Sequence, residues 1–428
     1  MSGSVRSAAT ISVGDELLAG ESLDTHGRTI ARALGLRGIR VTGHRVVGDD
    51  VDEIADAITQ AGKTVDLIVV TGGLGPTLDD VTREALAAAT GDPLVRDEEA
   101  IRSIEAWFAG RDRPMPATNE RQALRPGTAE ILRNDHGTAP GILQRWGDRI
   151  VVVLPGPPRE LLPMLADVLQ RLLPEEPPRP VRVVRAHGIG ESDAASRIEA
   201  LMARDRSMPV ATTVSDSIVN ARIRGRTAGD EAAVEALADE VAAAWGGHVF
   251  GRDDETLEAA LGRELLARGL DIATAESCTG GGVGAAITAV AGSSAWYPGG
   301  VVTYADERKV EELDVDAGVI QRCGAVSGEV VSAMARGVRR RCGASLGVAT
   351  SGVAGPGGGS EEKPVGTVWI SVVDDHGEDT RCFRFPGDRA IVRRRTVLAA
   401  LQMARLRVIG ERLPLLWERS VGATGRSS

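Results

Sequence analysis

Asp271-Ile-Ala-Thr-Ala-Glu-Ser-Cys-Thr-Gly-Gly-Gly-Val-Gly-Ala-Ala-Ile287 is a short apolar run, then a polar turn with three consecutive glycines, then a small-residue stretch of helical character. Strand, Gly-rich turn, helix is the repeating unit of an α/β fold. Ligands collect at such turns because the amides of the first helical turn face the site. Ser277 closes the apolar run, and Gly280, Gly281 and Gly282 would let an anion or oxyanion approach the backbone. A serine here also serves as an ordinary helix N-cap, so its position alone does not make it a nucleophile.

The alternation continues on both sides. After the turn come the strand GGVVTYAD (299–306), a helix through Arg340, the strand SLGVATSGVAG, a hairpin around KPVGTVWISVV and a last helix to about Arg407. Towards the N-terminus, AATISVG (8–14), IRVTGHRVV, DLIVVTGG and DRIVVVLPG read as strands separated by helices, which predicts a parallel, doubly wound sheet. Between these halves, VRVVRAHGIG, SDAASRIEALMA, SIVNARIRGR and DEAAVEALADEVAAAWG suggest a small α+β module. The proline cluster Pro174–Pro180 and the run GRDDET (251–256) read as breaks. The expected layout is 1–173, 181–250 and 256–412, with a disordered tail over 413–428.

With a net charge of −10 and 3% aromatics, the chain lacks the basic footprint and stacking rings of a nucleic-acid binder. It has no apolar run near the ~18 residues of a membrane span, and we expect neither a signal peptide nor a membrane partner. Its four cysteines form no CxxC pair, which suits a reducing cytoplasm.

Of 50 basic residues, only Lys63, Lys309 and Lys363 are lysine. Arginine cannot release its proton, whereas a desolvated lysine can. The only histidine of the C-terminal domain, His376, lies in the polar turn VDDHGED and is poorly placed as a base. Lysine is then the remaining partner for Ser277, as in Ser–Lys variants of the catalytic triad. Lys309 follows the strand GGVVTYAD, and Lys363 ends the loop TSGVAGPGGGSEEK and is its rival. Cys278 is a rival nucleophile, although adjacent side chains point in different directions. Tyr304 could stack on a flat ligand or relay a proton, and Arg389, opening the last helix, could clamp a phosphate.

The motifs AESCTGG, GGVVTYADERK, GAVS, TSGVAGPGGGSEEKPVGTV and FPGDR together resemble the C-terminal domain of the CinA family. The resemblance implies a nicotinamide-mononucleotide amidohydrolase of pyridine nucleotide salvage. It implies that Ser277 and Lys309 are a catalytic dyad with Tyr304 beside them, and that no metal is needed. Thr279, Gly280, Gly281, Thr350, Ser351, Gly352 and Arg389 are the implied substrate contacts.

In the first half, Gly14-Asp-Glu16 and Thr71-Gly-Gly-Leu-Gly-Pro-Thr-Leu-Asp-Asp80 close strands, with Pro155-Gly156 at the same edge. Glycines allow close phosphate approach, and carboxylates suit Mg²⁺-type cations. These motifs look like the family's molybdopterin-binding-like domain, so the expected architecture is two three-layer α/β domains joined by a KH-like module. The resemblance implies an ADP-ribose pyrophosphatase using a divalent metal, Mg²⁺ or Co²⁺, with K⁺. The implied nucleotide site is Gly14, Glu16, Gly72, Gly73, Gly75, Thr77, Pro155 and Gly156, with metal ligands Asp79 and Asp80. Where the family carries Asp-Thr-Asn, this chain reads Asp24-Thr25-His26. A homodimer is also implied. The nearest match to a nucleic-acid-binding GxxG loop, GIGESD, is acidic, so that role is not expected to transfer. The readings from another class are a nucleotide- or molybdopterin-binding scaffold without turnover and a competence accessory protein.

Overall fold

The computed structural model describes residues 5–173 and 179–419. Pro174–Pro178 of the expected linker and residues 420–428 of the expected tail lie outside the described residues. The chain forms two compact units, one up to residue 180 and one from residue 181 on, residues 226–230 apart.

The first unit runs β1 (Ser7–Val13), α1 (Asp15–Leu18), α2 (His26–Leu36), β2 (Arg40–Val47), α3 (Val51–Gly62), β3 (Leu67–Thr71), α4 (Thr82–Thr90), β4 (Leu94–Arg96), α5 (Glu98–Ala109), β5 (Leu124–Pro126), β6 (Glu130–Leu132), β7 (Gly141–Trp146), β8 (Arg149–Leu154) and α6 (Pro158–Leu172). Its sheet has the order β2-β1-β3-β8-β7-β6. Every residue of β3 is buried, as a central strand covered on both faces requires. Alternate residues feed opposite cores: Leu67 and Val69 pack with Leu161 and Leu165 of α6, whereas Ile68 and Val70 pack with Ile54 and Ile58 of α3. That alternation makes the three layers. The four expected strands, β2, β1, β3 and β8, are parallel as predicted, and the sheet gains two antiparallel strands that were not expected, β7 and β6. The tight Gly147-Asp148 turn, with Gly147 at φ 59°, reverses the chain and makes this edge a hairpin.

The second unit opens with β9 (Val181–His187), α7 (Glu191–Arg197), α8 (Glu199–Met202), β10 (Ala211–Ser215), β11 (Ile218–Arg224), α9 (Glu231–Trp245) and β12 (Val249–Arg252), in an antiparallel sheet ordered β10-β11-β9-β12. The single helix expected over SDAASRIEALMA is interrupted at Ile198. The expected break at GRDDET begins later than its first residues, because Gly251 and Arg252 belong to β12.

Then follow α10 (Leu257–Arg268), β13 (Ile272–Glu276), α11 (Gly282–Thr288), β14 (Gly299–Val302), α12 (Asp306–Leu313), α13 (Ala317–Cys323), α14 (Gly328–Cys342), β15 (Leu346–Gly352), β16 (Thr367–Asp374), β17 (Gly377–Arg384), α15 (Arg389–Val408) and β18 (Glu418–Arg419). The sheet order is β14-β13-β15-β16-β17-β18, with the first three strands parallel. Again the two faces feed separate cores. Ile272 and Val348 pack with α10 and α15, while Ala273 and Ala349 pack with α14. Helix α15 is capped by Asp388, whose carboxylate accepts from the Ile391 amide at 2.9 Å.

The disordered tail expected from 413 is corrected over 413–419. Leu415 is buried, Glu418 and Arg419 pair with β17, and the Leu416 amide donates to Gly188 O at 2.8 Å. Gly188 and Gly190 belong to the GIGESD loop, and a Cβ on Gly188 would stand 2.4 Å from Leu415 Cδ2. Leu415 and Leu416 are thus clasped onto that loop. No helix among the described residues is long and apolar enough to cross a membrane.

Candidate functional site

The carboxyl ends of β13, β14 and β15 share one edge, since Glu276 is in register with Val302 on one side and Thr350 on the other. The pairing runs one residue further. Thr303 N–H donates to Glu276 O at 2.9 Å, and Ser277 N–H donates to Thr350 O at 3.0 Å. Ser277, Thr303 and Ser351 therefore stand side by side at this edge, with Tyr304 one residue beyond.

Ser277 is not a helix cap. The N-cap of α11 is Gly281 at φ 91°, and the carboxylate of buried Glu276 accepts from the Val283 and Gly284 amides at 3.0 and 2.8 Å. With the helix end satisfied by Glu276, the half-buried Ser277 hydroxyl has no hydrogen-bond partner among the described residues. Neighbouring Cys278 points into the core, and burial pushes its thiol up to about 12. A thiol so held is a poor nucleophile at neutral pH.

Lys309, in α12, is 1% exposed. Its Nζ donates to Tyr304 O at 3.3 Å, Ala305 O at 3.5 Å and Asp306 Oδ1 at 3.1 Å. Its Nζ is thus held at the end of β14, beside the edge that carries Ser277, and the two side chains are not hydrogen-bonded to each other among the described residues. The rival Lys363 donates to Cys323 O at 2.7 Å and so caps the C-terminal end of α13, a favourable place for a cation. His376 is exposed in the β16–β17 turn, at the opposite end of β15 from Ser277.

Tyr304 is exposed and accepts from Arg389 Nη2 at 3.0 Å, while Arg389 Nη1 donates to Gly355 O at 2.9 Å. The guanidinium thus bridges the tyrosine to the Gly-rich loop after β15. The Thr279 and Thr350 hydroxyls bond each other at 2.7 Å, and Ser351 Oγ donates to Ala325 O at 2.7 Å, so all three buried side chains help shape the edge. Gly280 likewise spends its amide on Ser277 O at 3.0 Å, which leaves the Thr279 and Gly281 amides without an acceptor among the described residues. Glu276 and Asp306 are site residues that the sequence reading missed. Arg393, one turn into the helix that starts at Arg389, donates from Nη2 to Thr279 O at 2.7 Å behind the glycine turn.

The first unit holds a second candidate site at the carboxyl ends of β1, β3 and β8. A cavity of about 640 Å³ there is lined by Gly14, Glu16, Gly72, Gly73, Gly75, Asp79, Asp80, Pro155 and Gly156, as expected. Gly72, at φ 97°, could carry no side chain, because a Cβ would lie 2.4 Å from Val13 O. Thr77 is outside the lining. It serves Asp80 instead: Asp80 accepts from the Gly75 amide at 2.7 Å, the Thr77 amide at 2.9 Å and the Thr77 hydroxyl. Asp80 is therefore a loop staple as well as a lining residue of the cavity. Among the described residues no three His, Cys, Asp or Glu side chains converge to hold an ion.

Three family descriptions match the chain in order: "Probable molybdopterin binding domain" over 9–175, "Damage-inducible protein CinA KH domain" over 181–251, and "CinA C-terminal domain" over 254–408. A competence-damage inducible protein of Moorella thermoacetica is 42% identical over 92% of this chain and 97% of its own length. A CinA-like protein of Geobacter sulfurreducens is 39% identical over 94% of this chain and 99% of its own. The solved CinA structure from Thermoplasma acidophilum is 34% identical, covers 40% of this chain and 99% of its own, and has a TM-score of 0.38. With three domains matched in order and relatives alike over almost their full length, the chain belongs to the CinA family.

Proposed function

We propose that the C-terminal domain hydrolyses the carboxamide of nicotinamide mononucleotide. The observation that carries this reading is the pairing at one sheet edge of a serine relieved of capping with a lysine that is 1% exposed. Ser277 Oγ attacks the carboxamide carbon while Lys309, acting as the neutral amine, takes the hydroxyl proton and becomes the ammonium. Lys309 returns the proton to the leaving nitrogen, ammonia departs, and water cleaves the acyl-enzyme to nicotinate mononucleotide. The Thr279 and Gly281 amides serve the oxyanion, where one such donor contributes roughly 3–4 kcal/mol. In the resting arrangement Lys309 Nζ is held by the Tyr304 and Ala305 carbonyls and by Asp306. Catalysis therefore requires rotation of the lysine until Nζ lies roughly 3 Å from Ser277 Oγ. Tyr304 and Arg389 bind the ring and the phosphate.

The test is ammonia release from nicotinamide mononucleotide. Ser277→Ala and Lys309→Arg should each lose activity by at least about a thousandfold, whereas Cys278→Ala should remain active. Near-normal turnover by Lys309→Arg would remove the lysine from the mechanism.

For the first unit, the glycine-lined cavity supports a second site that takes the phosphates of a nucleotide such as ADP-ribose. A divalent cation there would be held by Asp79, with the ligand's phosphates completing its shell, and would neutralise their charge. Metal-dependent release of AMP from ADP-ribose tests cleavage; binding without release would make this unit a nucleotide-binding scaffold.

A further inference from the structure

The cavity of the first unit poses an electrostatic difficulty for the phosphates it is proposed to take. It is lined by six carboxylates, Glu16, Asp24, Asp49, Asp79, Asp80 and Glu160, and among its described lining residues there is neither a lysine nor an arginine. Asp49 shows the crowding: burial, with the charges of Asp15, Glu16 and Asp79, raises its carboxyl above the usual range. Backbone amides of the glycine loops supply partial positive charge, but no side chain that is permanently cationic faces a phosphate here.

One lining side chain can carry a positive charge, and that is His26. It is the first residue of α2, and its position is fixed from two sides. Its amide donates to Asp24 Oδ1 at 2.8 Å, and Nδ1 shares a hydrogen bond of 3.3 Å with the hydroxyl of buried Thr71 at the end of β3. Its Cε1 lies 3.9 Å from where a Cβ on Gly156 would stand, so the ring edges against a glycine of the β8 turn. With Nδ1 committed to Thr71, Nε2 is the nitrogen left for the cavity, on a ring that needs little reordering to use it.

We propose that His26 is a direct ligand contact of this site, donating from Nε2 to a phosphoryl oxygen of the bound nucleotide. The proposal rests on reading the first unit as a nucleotide site and assigns the side chain that recognises the phosphate. The bond forms by donation from a neutral or protonated imidazole, with no covalent step. Asp24 and Thr71 act through it, as positioning residues.

The experiment titrates the full-length chain calorimetrically with AMP, and separately with adenosine, in wild type, His26→Ala and His26→Gln. His26→Ala should bind AMP roughly tenfold more weakly, His26→Gln should fall between, and adenosine affinity should be the same in all three. A structural role for the ring would weaken both ligands alike, and unchanged AMP affinity in His26→Ala would overturn the proposal. A second measurement does not depend on the variants folding. Carbethoxylation of His26 in the wild type, followed by peptide mass spectrometry, should slow when AMP saturates the protein. An unchanged rate at saturation also overturns the proposal. If wild type binds neither AMP nor adenosine, the nucleotide-site reading itself fails and takes this inference with it. Wild-type binding with an insensitive His26 sinks the inference alone.

Discussion

Lowering the pH from 7 to 5 should destabilise the second unit through His187. This residue ends β9, is buried, and has a side-chain Nδ1 with no partner among the described residues. Burial, with the nearby charges of His248 and Arg394, pushes its imidazole down to about 3. In the unfolded chain the same ring titrates near ~6.5. The folded pKa is depressed, so the unfolded state binds the extra proton. The stability is fully present above pH ~6.5 and is lost as the pH falls towards about 3. Between pH 7 and pH 5 the native ring stays neutral while the unfolded ring protonates. At 1.36 kcal/mol per unit, that costs about 2 kcal/mol, an order-of-magnitude figure. His248, whose Nδ1 lies 3.3 Å from His187 O, is also depressed by burial and acts in the same direction. The assay is scanning calorimetry of wild type and His187→Gln at both pH values. Carboxylates contribute equally to the two proteins, so the difference between their pH responses isolates the ring. Equal losses of stability would refute the reasoning.

Replacing Glu276 with alanine removes the acceptor of the Val283 and Gly284 amides; it should cost about 1–3 kcal/mol in thermal unfolding and lower kcat by releasing the turn that carries Ser277. Arg389→Ala breaks the bridge from Tyr304 to Gly355 and should raise KM for nicotinamide mononucleotide about tenfold with kcat little changed, as steady-state kinetics would read. Gly72→Ala forces a Cβ to 2.4 Å from Val13 O at positive φ, and it should destabilise the first unit by about 2 kcal/mol or more, measured by denaturant unfolding.

The fold was legible where strands are central. Runs such as LIVVT and DIATAES are buried on both faces and read as continuous apolar stretches. The short edge strands β6 and β7 carry too few residues to show a pattern, so the hairpin that breaks the parallel order stayed hidden. In the candidate site, the positions of Ser277, Lys309, Tyr304 and Arg389 followed from strand ends and residue type. The direction of each side chain did not. Thr350 and Ser351 stand at the right edge, yet their hydroxyls turn to Thr279 and Ala325. Asp79 and Asp80 are adjacent in sequence, and only a turn set by tertiary geometry gives Asp80 its three donors. Glu276 escaped notice because its partners lie seven and eight residues ahead, beyond the spacing of a capping box.

The clasp of Leu415 and Leu416 on the GIGESD loop has a consequence for biosynthesis. The loop leaves the ribosome about 225 residues before its cover, a delay of roughly 10–45 s at about 5–20 residues per second. During that interval Gly188 and Gly190 lack the leucines that cover them in the finished protein, and the module must persist with that side open. Maturation of the second unit thus waits on Leu415 and Leu416, and a ribosome stalled short of Leu415 would present the uncovered loop to chaperones and proteases.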